Sequence, residues 1–542
     1  MAAKASLTLL LDCFYCLRMD CAAISIDYKL NFKPEKADQI PLLHERVAQR
    51  MYDLFTLNGG LYIKMGQAIG ANAPLMPRPM QDKFGRLFDD APQIPYESVL
   101  AVFKKEFGRP PAGPDGLFEE FEEQAMASAS VAQVHKAKTK DGRWVAVKIQ
   151  KPDVSRQINY DLTAFKAVMW MFEHWVFDLP VYFVADFITD HLKQELDFVQ
   201  EATNSRTMAA FVAAEPRLAQ QVHIPKVYPE YSSKRIMTAE WIDGVRLSNR
   251  ASIRKLMGER DKDAQAAQLP PHLEGVRLQG GVRAVMQSMV ELFSAQMFSW
   301  GWVHCDPHPG NIIIRPHPER PGKPQLVLLD HGLYVRVQEP FRRQYATLWR
   351  GLLAADFKAI EGVITQWGFG APDLFASATL MRPIKLRGQK PRKGGVPMAE
   401  LNQYDHGVMM KARLKEFLTD TDKMPKELIF LGRNMRIVQG NNQALGSPVN
   451  RIKITGYWAS RSLVTMPSLT LSERIREYWH YFIFQTVMLS IDTAFWLSKL
   501  NEMTRRFLGL KTESFEDELE RSMRGYAKTH MGVDVAPDAF NG

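Results

Sequence analysis

The chain has 542 residues, too many for one ordinary domain, so two or three folded units are expected. Its 46 % hydrophobic and 24 % charged residues sit at the globular average, which excludes a mostly disordered chain. The net charge of +9, 69 basic against 60 acidic residues, is spread thinly: a solvated surface accounts for it, no nucleic-acid partner is expected, and an anionic membrane surface stays open as the alternative.

At the N-terminus, Leu7 to Leu17 is apolar but contains Asp12, and Arg18 and Asp20 follow. That run is shorter than the roughly 20 apolar residues a spanning helix needs. It also lacks the small-residue cleavage site of a secretory signal. A presequence remnant, an interfacial helix and an ordinary core helix all fit it. Cys13, Cys16, Cys21 and Cys305 make no disulfide framework in a chain this long. Cys13 and Cys16 have CxxC spacing without a second ligand pair nearby, so reduced thiols are the simplest expectation there, with zinc or redox chemistry as the alternative.

Residues 41–110 read as helical, with apolar spacing through Val47, Met51, Leu54, Phe55 and Leu61, punctuated by prolines from Pro74 to Pro114. From about 120 the texture changes. A small-residue loop from Ala127 through Ala129, Ser130 and Val131 to Val134 leads to the turn pair Asp141-Gly142. The β-branched run Trp144-Val145-Ala146-Val147-Lys148-Ile149 then predicts a strand. Residues 155–210 read as helical, 223–245 hold a strand around Arg235-Ile236-Met237, and 257–275 form a surface connection. A long apolar helix is predicted over about 281–299, and beyond 340 the chain is mostly helical apart from the Pro-, Gly- and basic-rich segment 382–397.

The densest chemistry lies in His304-Cys305-Asp306-Pro307-His308-Pro309-Gly310-Asn311, followed by the apolar run Leu326 to Leu329 and then Asp330-His331-Gly332. That is the order of a kinase catalytic loop, HxDxxxxN, a strand, and a DxG metal motif. Phosphoryl transfer needs a carboxylate to orient the attacking hydroxyl and oxygen ligands for magnesium between the phosphates. Asp306 supplies the first; Asn311 and Asp330 supply the second. Turn-forming residues on a surface loop would explain a lone HxD. They do not explain two spaced elements in their expected contexts. Upstream, Val145-Ala146-Val147-Lys148 matches the strand lysine that neutralises the α and β phosphates. Its ion-pair partner is expected on the helix that follows, Glu195 first and Glu201 second. Met237 to Gly244 reads as a hinge whose backbone near Glu240 and Ile242 would bond the adenine.

No GxGxxG precedes Lys148; the Ala127–Ala132 stretch stands in its place, and Lys64-Met65-Gly66-Gln67 lies in the helical region ahead of it. The set KxGQ, alanine-rich loop, VAVK, ExD, HxDPHPGN and DxG, spanning about 45–335, resembles the UbiB family, the aarF-domain-containing atypical kinases, and within it the mitochondrial branch with its fungal relatives. The resemblance implies an α+β, bilobal protein-kinase-like fold with a helical N-terminal KxGQ extension and a helical C-terminal extension. The expected units are a membrane-proximal or presequence-like segment 1–40, the extension 41–114, an N-lobe 115–245, a C-lobe 246–370 and a helical region 371–542. It implies that Lys64 and Gln67 sit inside the active site, and that the alanine-rich loop favours ADP and restrains phosphorylation. Alanine restricts φ relative to glycine, so fewer backbone N–H groups can wrap the phosphates.

Expected ligands are ATP or ADP with Mg²⁺, Mn²⁺ being the alternative. The expected setting is mitochondrial and associated with the inner membrane, with membrane lipids or an isoprenoid-type small molecule as partner and a role in lipid or coenzyme Q homeostasis. Two departures stand out: Cys305 where alanine is usual, and His331 where protein kinases carry Phe. No A-P-E follows Asp330, which counts against a protein Ser/Thr kinase. A nucleotide-gated scaffold without phosphotransfer is the competing class. Two segments bear on membranes. Tyr481 to Leu497 is nearly all apolar and predicts a buried C-terminal helix, with membrane contact as the rival reading. Arg382 to Lys393 carries six basic and no acidic residues, fitting anionic headgroups or a solvated loop equally.

Overall fold

The computed structural model describes residues 23–58, 78–85, 93–129, 131–171, 196–259, 265–354, 356–369, 425–466 and 468–507, with isolated positions between them. Two bodies of sheet are stacked between helical extensions. The first sheet runs β1 (Glu120–Phe121), β3 (Ala132–Lys138), β4 (Trp144–Gln150), β6 (Ile236–Glu240), with β2 (Ala127–Ser128) pairing β3 as well, all antiparallel. Its inward side chains Val145, Val147 and Ile149 alternate with outward ones, as a half-buried strand requires, and pack on Val99, Val102 and Phe103 of the helix Tyr96–Phe107. The register sets Lys148 opposite Val134 and Met237, in the middle of the sheet and not at its edge.

The second body holds a four-stranded sheet, β5 (Val222–His223), β10 (Arg320–Leu328), β9 (Ile312–His317), β7 (Val245–Arg246), and a two-stranded ribbon, β8 (Trp302–His304) with β11 (Tyr334–Arg336). The β9–β10 hairpin matters most, because it begins one residue after Asn311 and ends two residues before Asp330. A two-strand excursion thus returns the chain to where it left and puts both residues at one end of the sheet. Beneath lies the largest core, built on the helix Gly281–Ala295 and joined by Trp349, Trp367 and Trp458.

The chain passes from β6 to β7 through Gly244, where a Cβ would lie 2.4 Å from the Ile313 Cγ2 and 2.8 Å from the Ile314 carbonyl oxygen. Backbone cannot yield as a flexible side chain does. Gly244→Ala is therefore expected to lower stability by about 1–3 kcal/mol, measured as a fall in Tm; an unchanged Tm would show that the connection between the sheets gives way freely.

The N-terminal extension forms its own cluster. Helices over residues 23–31, Ile40–Asn58 and Arg78–Gly85 bury Ile24, Leu43, Val47 and Phe84 against Leu162 and Phe165 of the helix Pro152–Met171. His44 sits in this cluster against Tyr28, ring centroids 5.9 Å apart, and burial pushes its pKa down to about 4. An unfolded histidine titrates near 6.5. Its folded pKa being the lower one, the contribution is complete above that unfolded value and is lost as pH falls toward 4. Amide exchange in Ile40–Asn58 should accelerate between about pH 7 and about pH 5 more than exchange in Gly281–Ala295. Equal acceleration of the two helices would contradict this assignment.

At the C-terminal end, the helices Glu427–Ala444, Arg451–Thr465 and Leu471–Phe507 pack on the lower core. The apolar run Tyr481 to Leu497 lies within the last of these. The expectation of a buried helix holds for one side only: Phe484, Met488 and Phe495 are buried while Phe482, Leu489 and Trp496 are exposed. Among the described residues no helix is long and apolar enough to cross a membrane. Leu7 to Leu17 and the basic segment Arg382 to Lys393 lie outside the described residues.

Candidate functional site

Lys148 points from β4 into the space between the two sheets. Its Nζ lies 2.6 Å from Glu201 Oε1 and 3.2 Å from Asp330 Oδ2. Glu201 is on the helix Phe198–Ala214 and only 1 % exposed. Burial opposes the charge on Lys148, but the carboxylates of Asp330 and Glu201 outweigh it and hold the ammonium above its usual range. Burial likewise pushes Glu201 up, to about 7, against the pull of Lys148.

Among the described residues the partner of Lys148 is Glu201, the second of the two expected; Glu195 lies outside them. The reason is where the helix starts. The Asp197 side chain accepts from the N–H groups of Val199 and Gln200, so the helix begins at Phe198 and turns Glu201 inward on its first full turn. One turn further, Asn204 donates to the His331 carbonyl at 3.0 Å, fixing the same helix to the DxG segment.

Asp306 and Asp330 are tied together by one imidazole. His304 Nε2 lies 2.8 Å from the Asp330 carbonyl oxygen, and its Nδ1 accepts from the Asp306 N–H at 3.3 Å. Those two bonds require the neutral tautomer protonated on Nε2. Burial agrees, pushing the His304 pKa below its usual value. His331 is also held neutral: burial takes it down to about 3, with Nδ1 at 2.9 Å from the Tyr334 hydroxyl and Nε2 at 3.2 Å from the Leu328 carbonyl. It stacks on Tyr334 and so fills an aromatic role with an imidazole. Cys305, beside Asp306, is buried with Leu333, Val335 and Phe430.

Asn311 closes the short 3-10 turn Pro309–Asn311, and its carbonyl accepts from the Leu329 N–H at 2.9 Å, which sets it beside the residue preceding Asp330. Asp330 Oδ1 accepts from the Gly332 N–H at 2.9 Å. The oxygens of Asp330 and Asn311 are the hard donors magnesium takes. Among the described residues no group of three or more His, Cys, Asp or Glu side chains could hold a metal unaided. A donor set of one carboxylate and one amide fits Mg²⁺ shared with phosphate oxygens and water, the usual arrangement for this ion. Only residues 333–338 separate the DxG segment from the helix Glu339–Ala354, so the long activation segment of protein kinases is replaced by the short strand β11.

The alanine-rich loop is a tight hairpin end. Ala127 pairs with Val134, and the Ala129 N–H donates to the Ala132 carbonyl at 2.8 Å. Val131 is buried and its carbonyl accepts from the Lys151 N–H. The Ala129 N–H is thus already bonded inside the hairpin. Ser130, Lys64 and Gln67 lie outside the described residues; Gly66 between the latter two is helical and buried.

At the hinge, the Glu240 N–H donates to the Lys226 carbonyl at 2.8 Å, and the Glu240 side chain is held by His223 and Arg315. Ile242 anchors the hinge by its side chain, buried with Ile313 and Val327. Sequence reasoning missed a third contributor. From the C-terminal helix Glu427–Ala444, Arg433 Nη2 reaches Asp306 Oδ1 at 3.0 Å.

A family model described as the ABC1 atypical kinase-like domain matches residues 86–364. The chain is 39 % identical over 525 residues to the ABC1 family protein lscO of Purpureocillium lilacinum, covering 93 % of this chain and 85 % of that protein. It is 28 % identical to AarF domain-containing protein kinase 1 of Xenopus tropicalis over 88 % of this chain and 86 % of that one. Among solved structures, Rv3197 of Mycobacterium tuberculosis in complex with erythromycin aligns with a TM-score of 0.41 at 19 % identity, over 74 % of this chain and 95 % of that one. The lysine, the paired glutamate and the two aspartates lie within the matched span or its immediate reach in space, and the similarity runs nearly end to end: the chain belongs to the ABC1 family of atypical kinase-like proteins.

Proposed function

We propose that the chain binds ATP or ADP with Mg²⁺ (or Mn²⁺) between its two sheets and transfers or hydrolyses the terminal phosphoryl group at Asp306. The observation that carries this is the constellation Lys148–Glu201–Asp330, a strand lysine held by a buried helix glutamate and a DxG aspartate. Such an arrangement costs desolvation and is what a phosphate-binding lysine needs to be held in place. Lys148 would meet the α and β phosphates, and Asp330 with Asn311 would hold the metal, which when bound supplies charge neutralisation between phosphates. Asp306 would orient the attacking hydroxyl or water. A small substrate is favoured over a protein one, because the chain's own helix Glu427–Ala444 is bonded along the catalytic loop: Asn434 donates to the His304 carbonyl and Asn441 to the Pro307 carbonyl.

The setting we propose is a membrane surface, that of the mitochondrial inner membrane by the motif resemblance, with a lipid or isoprenoid-type substrate in lipid or coenzyme Q homeostasis. What supports the membrane is the outer side of Leu471–Phe507, where Tyr478, Trp479, Phe482, Leu489, Trp496 and Leu500 are exposed and the exposed Arg474 and Arg476 precede them. Aromatic residues on one side of a helix with basic residues at its start suit the headgroup boundary, where a helix lies flat and does not span.

The test is ATP hydrolysis by the full chain with Mg²⁺, alone and with vesicles of phosphatidylcholine and cardiolipin. Hydrolysis that vesicles stimulate, together with sedimentation on the vesicles that Phe482→Asp reduces, is the expected result. Binding of ADP·Mg²⁺ with no hydrolysis under any condition would favour the scaffold class.

A further inference from the structure

The helix Glu427–Ala444 lies outside the matched span 86–364, yet Arg433, Asn434 and Asn441 on it all bond one short loop. Asn434 Nδ2 donates to the His304 carbonyl at 2.6 Å and Asn441 Nδ2 to the Pro307 carbonyl at 3.2 Å. Those two amides suffice to dock the helix, since both grip backbone. Arg433 does something else: its guanidinium reaches the Asp306 side chain, with the arginine 15 % and the aspartate 21 % exposed. A pair so far withdrawn from water is not the loose surface kind that contributes little.

The charge distribution along this helix is also informative. Arg436, one turn on, is pushed down to about 10, first by burial and then by the charge of Arg433. Two cations one turn apart repel and cost stability. Arg433 Nε is moreover buried without an acceptor, so the side chain is committed to Asp306 at the expense of its own full satisfaction.

We infer that Arg433 is a positioning residue for phosphoryl transfer, acting through Asp306 and making the C-terminal helix part of the catalytic unit. The inference rests on the phosphoryl-transfer reading above. Pinning Oδ1 stops rotation of the carboxylate about Cβ–Cγ, so that Asp306 presents one orientation to the incoming hydroxyl or water. The bond is charge-assisted, so it holds that orientation more firmly than a neutral one would.

The test is a double-substitution cycle in the full chain: Arg433→Gln, Arg433→Lys, Asp306→Asn, and Arg433→Gln with Asp306→Asn, read by the kcat and KM of ATP hydrolysis and by the Tm rise with ADP·Mg²⁺. Arg433→Gln should lower kcat roughly 10- to 100-fold with KM and the Tm rise held within about twofold. In the Asp306→Asn background the same change should alter kcat less than about twofold, because the partner through which it acts is gone. Arg433→Lys should recover part of the loss, one donor replacing a fork. An equal loss in both backgrounds would make Arg433 merely structural, and a rise in kcat would make it a cover over Asp306; either overturns the inference. Should Arg433→Gln fail to fold, Arg433→Lys decides alone: wild-type kcat from it overturns the inference. A wild-type chain that binds ADP·Mg²⁺ but never hydrolyses ATP sinks the phosphoryl-transfer reading and this inference with it, a result distinct from active enzyme with an additive cycle.

Discussion

Asp330→Asn is expected to abolish the rise in Tm that ADP or ATP produces with Mg²⁺, while leaving the unliganded Tm within a few degrees of wild type. The side chain is 37 % exposed, and its Oδ1 contact with the Gly332 N–H can be made by an amide oxygen as well. Folding therefore loses little. What is lost is the anionic oxygen that faces Lys148 and would face the metal, replaced by an amide that cannot offer charge to either. A ligand at about a hundred times its Kd stabilises by about 2.7 kcal/mol. That amounts to about 2–3 °C for a chain of this size. Titrating each nucleotide with and without Mg²⁺ checks it. A rise in Asp330→Asn equal to wild type would remove Asp330 from the metal site and leave the DxG segment a structural turn.

Three of the four residues on which this prediction and the wider site depend were legible because they are local. Asp306, Asn311 and Asp330 are separated by one tight turn and one hairpin, so their spacing along the chain is itself the geometry. Lys148 was legible because the run Val145-Ala146-Val147-Lys148 has the pattern of a kinase strand lysine. The choice between Glu195 and Glu201 needed the helix start, and a signal for it was present: Asp197 followed three residues later by Gln200 is an N-terminal capping pattern, which puts Glu195 before the helix and Glu201 on it. The stretch Ala127 to Ala132 is plainly alanine-rich in the sequence, but its closed hydrogen bonding at Ala129 depends on pairing with β3, which composition does not reveal.

Arg433 was not legible at all as a site residue, since 127 positions separate it from Asp306. Only a faint sign exists, Asn434 and Asn441 two turns apart among Phe430, Leu431, Ile437 and Val438, which marks a buried polar row without naming what it meets. Helix Leu471–Phe507 failed for the opposite reason. It is apolar on both sides across Tyr481 to Leu497, and hydropathy cannot say which side has a partner.

The second large effect concerns Lys148 and is expected to depend on pH in a particular direction. Lys148→Met removes the cation from a glutamate that is 1 % exposed, and breaking a pair this buried ordinarily costs about 3–5 kcal/mol. Here Glu201 has an escape. Its carboxyl is already at about 7, raised by burial, and without Lys148 to lower it the value moves higher still, so it takes up a proton and does not stay charged and alone.

A carboxyl whose folded pKa exceeds its unfolded value contributes most at low pH, and that contribution is lost as pH rises through the folded pKa. In wild type the loss is complete near 7; in Lys148→Met it continues beyond. The gap in stability between variant and wild type should therefore widen above pH 7, by up to about 1.4 kcal/mol per pH unit. Urea unfolding at several pH values between about 6 and about 9, without nucleotide or Mg²⁺, measures it. Adding Glu201→Gln to Lys148→Met removes the titrating group, and the widening should vanish. A gap that is constant with pH in Lys148→Met would mean that Glu201 stays ionised without its lysine, held by other contacts of the helix Phe198–Ala214, and that the pair is less closely coupled than its 2.6 Å separation implies.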